Sequence, residues 1–286
     1  MDVPRRSVLV GAVLCLAACA PDPTIEEPDG APSRAQAAAA PKQSESLAKV
    51  AALLAGVREL VAKEPEDAWR AAALAQCDDQ LARINSVNPF ASPDPVFEPQ
   101  PESAASLDEA IAAVVDACSA AAHREEAPST RLLLISIAAA TRGLAKRDLI
   151  PGEGAEPSPV ETLSDQQYTA LTHVWALIYG LEACLGRTRN DKALREELST
   201  RLASAQSLRD ELRRGLTTPS QPPAFELPGP ISTSDEIRSV WRTLEVRLLE
   251  ALVLLAAEQP DDDRWAAQLQ RAQAVGGRIP RWPGWN

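Results

Sequence analysis

LSDQQYTALTHVWALIYGLEACLGR, residues Leu163 to Arg187, is the stretch on which the fold reading turns. Ser164 and Gln167 have the spacing of a capping box, in which the hydroxyl accepts the amide three residues on and the glutamine side chain returns the bond. From there Leu171, Val174, Trp175, Ile178, Leu181 and Leu185 follow at steps of three and four. That period lays a broad apolar stripe along one helix, suited to a packed core rather than to a narrow coiled-coil seam. Gly186 is placed to end it.

The same period recurs on both sides. Downstream, Ala193, Leu194, Leu198, Leu202, Leu208 and Leu212 predict a helix that ends near Gly215, followed by a proline-rich crossover from Pro219 to Pro230. Thr233 and Glu236 cap a third helix with Ile237, Trp241, Leu244, Leu248, Leu252 and Leu255 inward, and Pro260 begins a fourth through Trp265, Leu269 and Ala272. The tail holds Trp282 and Trp285, which are expected to fold back because exposed indoles are unfavourable in water. Upstream, the spacing predicts helices over about 45–63, 66–85 and 106–122, and one opened by Ser129. That last helix is apolar on nearly all sides through Leu132, Leu133, Leu134, Ile135 and Ile137, the mark of a central, buried element.

Of 286 residues, 45% are apolar but only 4% aromatic, so the cores must be built from Leu, Val, Ile and Ala. β-branched alternation is nearly absent. The fold class is therefore read as all-α, in two helical bundles: an N-terminal helical domain over 44–148, a linker rich in Pro and Gly over 149–162, and a four-helix bundle with an aromatic tail over 163–286. The formal net charge of −11 argues against nucleic acid as a partner and against electrostatic docking to anionic lipid.

The first residues carry an address. Arg5 and Arg6 precede an apolar run from Ser7 to Ala18, too short to span a bilayer and right for a signal peptide over 1–18. The run ends in Leu16, Ala17, Ala18 and Cys19, which looks like a lipobox whose cysteine thiol takes a diacylglycerol. Arg5 and Arg6 followed by Ser7, Val8 and Leu9 also resemble the twin-arginine export motif, while general secretory export needs only positive charge here, so both routes stay open. Residues 19–43, rich in Pro, Ala, Asp, Glu and Ser, read as a disordered tether. The expected location is the outer face of the cytoplasmic membrane, held by a lipid anchor on Cys19.

The segment Leu171 to Gly180 resembles the first helix of the ferritin-like domain of uncharacterised actinobacterial lipoproteins, which reads Ala-Glu-His-Ala-Ala-x-Tyr-x-Tyr-Gly. His173, Tyr179 and Gly180 match, whereas Thr172 stands where that family has Glu and Leu177 where it has its first Tyr. An Ala-Phe-Glu-Leu-Pro run within Pro222 to Pro228 and the aromatic-Pro-Gly terminus at Trp282, Pro283 and Gly284 agree as well. The resemblance covers about Leu163 to Asn286 and implies a ferritin-like four-helix bundle without an established activity.

A ferritin-like di-iron site needs Glu-x-x-His on two helices, and neither His123 nor His173 has Glu three residues before it. The weak metal candidates are Glu182, Glu245 and His173; the alternative is that the two carboxylates face solvent or pair with arginines. No catalytic residue and no cofactor is assigned: Asp116, Ser119 and His123 share a helix face, but the serine lies between the other two, which is the wrong order for a triad. Cys77 and Cys118, mid-helix on apolar faces, are expected to form a disulfide outside the cytoplasm, and Cys184 reads as a small buried hydrophobe. Together these features describe a lipid-anchored extracytoplasmic binding or scaffolding module, with an envelope protein as a possible partner and the Trp282 and Trp285 tail as a minor contact. The competing readings are a degenerate metal-binding oxidoreductase and a carrier of a small apolar ligand.

Overall fold

Short polar side chains set most of the helix starts. Ser44 accepts the amide of Leu47, Asp67 that of Arg70, Ser106 that of Glu109 and Asp191 that of Leu194. Thr233 and Glu236 form the complete reciprocal box. The computed structural model describes residues 41–286 except 92, 93, 189, 190, 218, 223 and 286. Arg5, Arg6 and Cys19 lie outside the described residues, as does most of the tether. Among the described residues the protein is all α-helical: α1 Glu45–Val61, α2 Ala68–Ile84, α3 Leu107–Ala122, α4 Pro128–Gly143, α5 Gln166–Leu185, α6 Lys192–Arg213, α7 Ser234–Glu258 and α8 Arg264–Ala274.

The start of α5 departs from the sequence reading. Asp165 takes the left-handed conformation at φ 61° and makes no side-chain cap, so Ser164 and Gln167 form no box. Instead Glu258, at the end of α7, accepts the backbone amide of Gln166 at 3.0 Å. Its negative charge suits a helix N-terminus. Gln167 meanwhile donates to the carbonyls of Leu212 and Arg214 at the end of α6. Both terminal bonds come from partner helices, which local spacing could not show.

α5 packs against α6 and α7, and α8 packs on α7; in the other half α1 packs against α2 and α3, and α3 on α4. Helix α4 joins the two groups by packing on α7 and α8. Every residue from Leu132 to Thr141 is buried, and nearly all of the buried apolar side chains from Val50 to Trp285 belong to one hydrophobic cluster. Gly180 permits the close approach of α5 and α7: a Cβ there would stand 2.3 Å from the Leu244 Cδ1.

Residues 149–162 are a packed strap rather than a free link. Gly152 donates to the Ile279 carbonyl and accepts from the amide of Arg281. Ser129 and Val160 bond reciprocally, and Trp285 donates its indole proton to the Ser158 carbonyl at 3.1 Å. Trp282 is entirely buried beneath the Arg83 guanidinium, 5.4 Å from the ring centroid, and Arg281 pairs with Asp79 on α2. The tail thus folds back as expected, but onto the N-terminal half as well. Its indoles are consumed by the protein's own core, which removes them as a partner contact.

Cys77 and Cys118 are free thiols, not the disulfide expected. α1 lies against both α2, which carries Cys77, and α3, which carries Cys118, whereas α2 and α3 make no substantial contact of their own. Burial pushes Cys77 up to about 12 and Cys184 to about 11, and raises Cys118 as well, so all three stay protonated and inert.

Two measurements check this architecture. Trp282→Ala should destabilise the protein by about 3–5 kcal/mol in urea unfolding. Protein unfolded with an alkylating agent and no reductant should yield Cys77, Cys118 and Cys184 all as alkylated peptides in mass spectrometry, and a Cys77–Cys118 crosslinked peptide would show the packing to be wrong.

Candidate ligand cleft

Six residues on α6 point inward at alternating steps of four and three: Leu194, Leu198, Arg201, Ala205, Leu208 and Leu212. This register places Arg201, not Leu202, in the stripe, and leaves Ala193 exposed. An arginine among leucines on a core face must find charge and acceptors, since burying an unpaired ion is strongly unfavourable. Glu245, on the inward face of α7, supplies them and is itself entirely buried.

The pairing is bidentate. Arg201 Nε donates to Glu245 Oε1 at 2.6 Å and Nη2 to Oε2 at 2.9 Å. Trp241, one turn earlier on α7, donates its indole proton to Oε1 at 2.7 Å. From α8, Gln268 donates to Oε2 at 2.6 Å and to the Glu245 backbone carbonyl at 2.9 Å, while its own Oε1 accepts from Arg201 Nη2 at 3.2 Å. Two donors therefore reach each carboxylate oxygen. Arg201 Nη1 remains buried with no hydrogen-bond partner.

Arg201, Trp241 and Glu245 line an open cleft of about 800 Å³ bounded by α6, α7 and α8. Arg238 and Glu197 form an ion pair at 2.9 Å on its wall. Arg271, on α8, is exposed in the same cleft and makes no hydrogen bond or ion pair among the described residues. Partial burial, then the neighbouring Arg201 charge, push its pKa down from the ordinary arginine value. Val275 and Ala274 add apolar surface beside Trp241.

The other sequence candidates do not converge here. Glu182 is exposed on α5, and His173 is half-buried on the same helix, where burial and then the Arg247 charge hold it below the ordinary histidine pKa. Glu245 alone of the three weak metal candidates points into the core, and it is engaged by Arg201, Gln268 and Trp241. Among the described residues no three His, Cys, Asp or Glu side chains gather in a metal-binding group. His123 stands exposed, 3.8 Å from Asp261. Sequence reasoning missed Arg201, Gln268 and Arg271. The first had a signal: stepping four, three, four from Leu194 lands on Arg201 and Ala205, a charge inside an otherwise apolar heptad.

The chain matches no protein-family model, no curated protein and no solved structure.

A double-mutant cycle tests the network. Glu245→Leu should cost about 3–5 kcal/mol because it strands the Arg201 charge, and Arg201→Met should cost a similar amount. The double variant should be much more stable than the sum of the two predicts, since both charges leave together; additive costs in urea unfolding would show that the pair is not coupled.

Proposed function

We propose that this protein is a lipid-anchored extracytoplasmic binding module whose C-terminal helices α5–α8 form a ferritin-like bundle with an ion-pair network in place of metal ligands. The observation that carries the reading is the open cleft among α6, α7 and α8, with its charged wall held rigidly by Arg201, Glu245 and Gln268. A preformed cleft with a few oriented polar groups beside an aromatic surface suits ligand capture. It also favours a polar ligand over a purely apolar one, because a carrier for the latter would want an enclosed apolar cavity.

Anchoring through Cys19 rests on the lipobox-like run Leu16 to Cys19 and the preceding apolar segment. The matches at His173, Tyr179 and Gly180 support the ferritin-like reading, and Gly180 has a physical reason in the close approach of Leu244. In this arrangement the lipid would hold the module at the membrane while the cleft faces the envelope. An acidic chain of net charge −11 would remain off anionic lipid surfaces except through its anchor.

Expression in a bacterial host with labelled palmitate tests the anchor. The wild-type chain should carry label and sediment with membranes, and Cys19→Ala should lose the label and its membrane retention. An unlabelled wild-type chain in the soluble fraction would overturn the lipoprotein reading.

A further inference from the structure

We infer that the face carrying Val87 and Val96, beside the point where the chain enters the fold, rests on the lipid bilayer, with both valines in its headgroup boundary. This rests on the proposed lipid anchor at Cys19 and adds to it the face that the anchored protein turns to the membrane.

Exposure singles out the place. Only five large apolar side chains are exposed among the described residues; Val87 stands at 59% and Val96 at 57%, and the other three reach 40% at most. The two valines are neighbours. Ser86 and Pro95 form an antiparallel bridge and each valine follows one of them, so their Cα atoms lie within about 13 Å of each other. Asn85 holds this arrangement, its carbonyl accepting from the amides of Val96 and Phe97 at 2.8 and 3.0 Å. Phe97 adds a half-exposed ring. Apolar side chains on a backbone fixed in this way stay in water unless something outside the fold covers them.

The path of the chain names the cover. Gln43, two residues after Pro41, donates to the Ile84 carbonyl at 2.8 Å and to Asn85 Oδ1 at 3.2 Å. Asn85 therefore joins the entry of the chain to the valine loop. Twenty-one residues separate Cys19 from Pro41, and such a length reaches at most about 75 Å. A compact domain the size of residues 41–286 has a radius of roughly 23 Å. For its opposite face to meet the bilayer, the chain would run round the domain and use roughly 60 Å of that reach, with a loss of conformational entropy. The face at Gln43 meets the bilayer without that loss. A weak apolar contact suffices there, because the anchor makes it intramolecular. Asp94 and Glu98, both exposed, bracket Val96 and place carboxylates at the rim, so the contact favours uncharged over anionic lipid.

The full chain, lipidated in a bacterial host and reconstituted into phosphatidylcholine vesicles, tests the inference. An environment-sensitive dye is attached at Val87→Cys, at Val96→Cys or, as a reference on α6, at Glu196→Cys; Cys77, Cys118 and Cys184 are buried and do not compete for the label. Dyes at 87 and 96 should shift their emission to the blue and be quenched by lipid carrying a shallow quencher, and the dye at 196 should do neither. Val87→Asp should remove at least half of the response at 96 without changing the melting temperature, since Val87 is exposed. Phosphatidylglycerol in half of the lipid should weaken the quenching. Mass spectrometry of the Cys19 peptide reports the anchor separately. Lipidated protein whose three dyes respond alike, or whose quenching grows with phosphatidylglycerol, would overturn the inference and leave the lipoprotein reading standing. A Cys19 peptide without lipid would overturn both.

Discussion

Helix α4 has no face for water. From Leu132 to Thr141 every side chain is buried, and a helix that is apolar all round can be stable only if other elements cover it on every side. One bundle covers only part of such a cylinder. α3 takes one flank, and α7 and α8 take others, so the covering of α4 requires both halves of the chain. The strap at 149–162 and the tryptophan tail follow from the same demand, because each closes a seam between the halves: Gly152 bridges to the tail, and Trp282 fills the space under Arg83.

Against this background of aliphatic packing, the Arg201–Glu245 pair is an exception that shapes one face of the C-terminal helices. Two charges taken out of water are tolerable only when their hydrogen bonds are met. Glu245 meets that condition through four donors from three helices, and Arg201 does not quite, since Nη1 is left over. Such unmet atoms are not confined to the cleft: Ser136 Oγ and Thr141 Oγ1 on α4 are also buried without a hydrogen-bond partner. The three cysteines, buried and pushed toward the protonated form, are simply packing.

Much of the fold was legible in local pattern. The apolar periods placed the eight helices found among the described residues, Thr233 and Glu236 marked the start of α7, and the apolar girdle of α4 announced its central position. The site was half legible. Glu245 could be seen facing inward four residues beyond Trp241, and pairing with an arginine was among the readings open to it. Its partner was hidden because Leu202 looked like the better continuation of the α6 stripe, and a one-residue change of register decides which side chain faces the core.

The sequence by itself determined the all-α class, the helix positions and most but not all of the inward side chains, because these follow from a period of 3.6 residues and from the unmet amides at helix ends, both local properties. Only the tertiary structure decided which helix ends serve one another, as Glu258 caps α5 and Gln167 the end of α6. It alone decided that Cys77 and Cys118 stay unpaired, that residues 149–162 are strapped down, and that Arg201, Glu245 and Arg271 share one cleft with Gln268 buried behind them. The physical reason is the same in each case: these partners lie on different helices, far apart in the chain, and meet through the packing of neighbours whose approach no local pattern encodes.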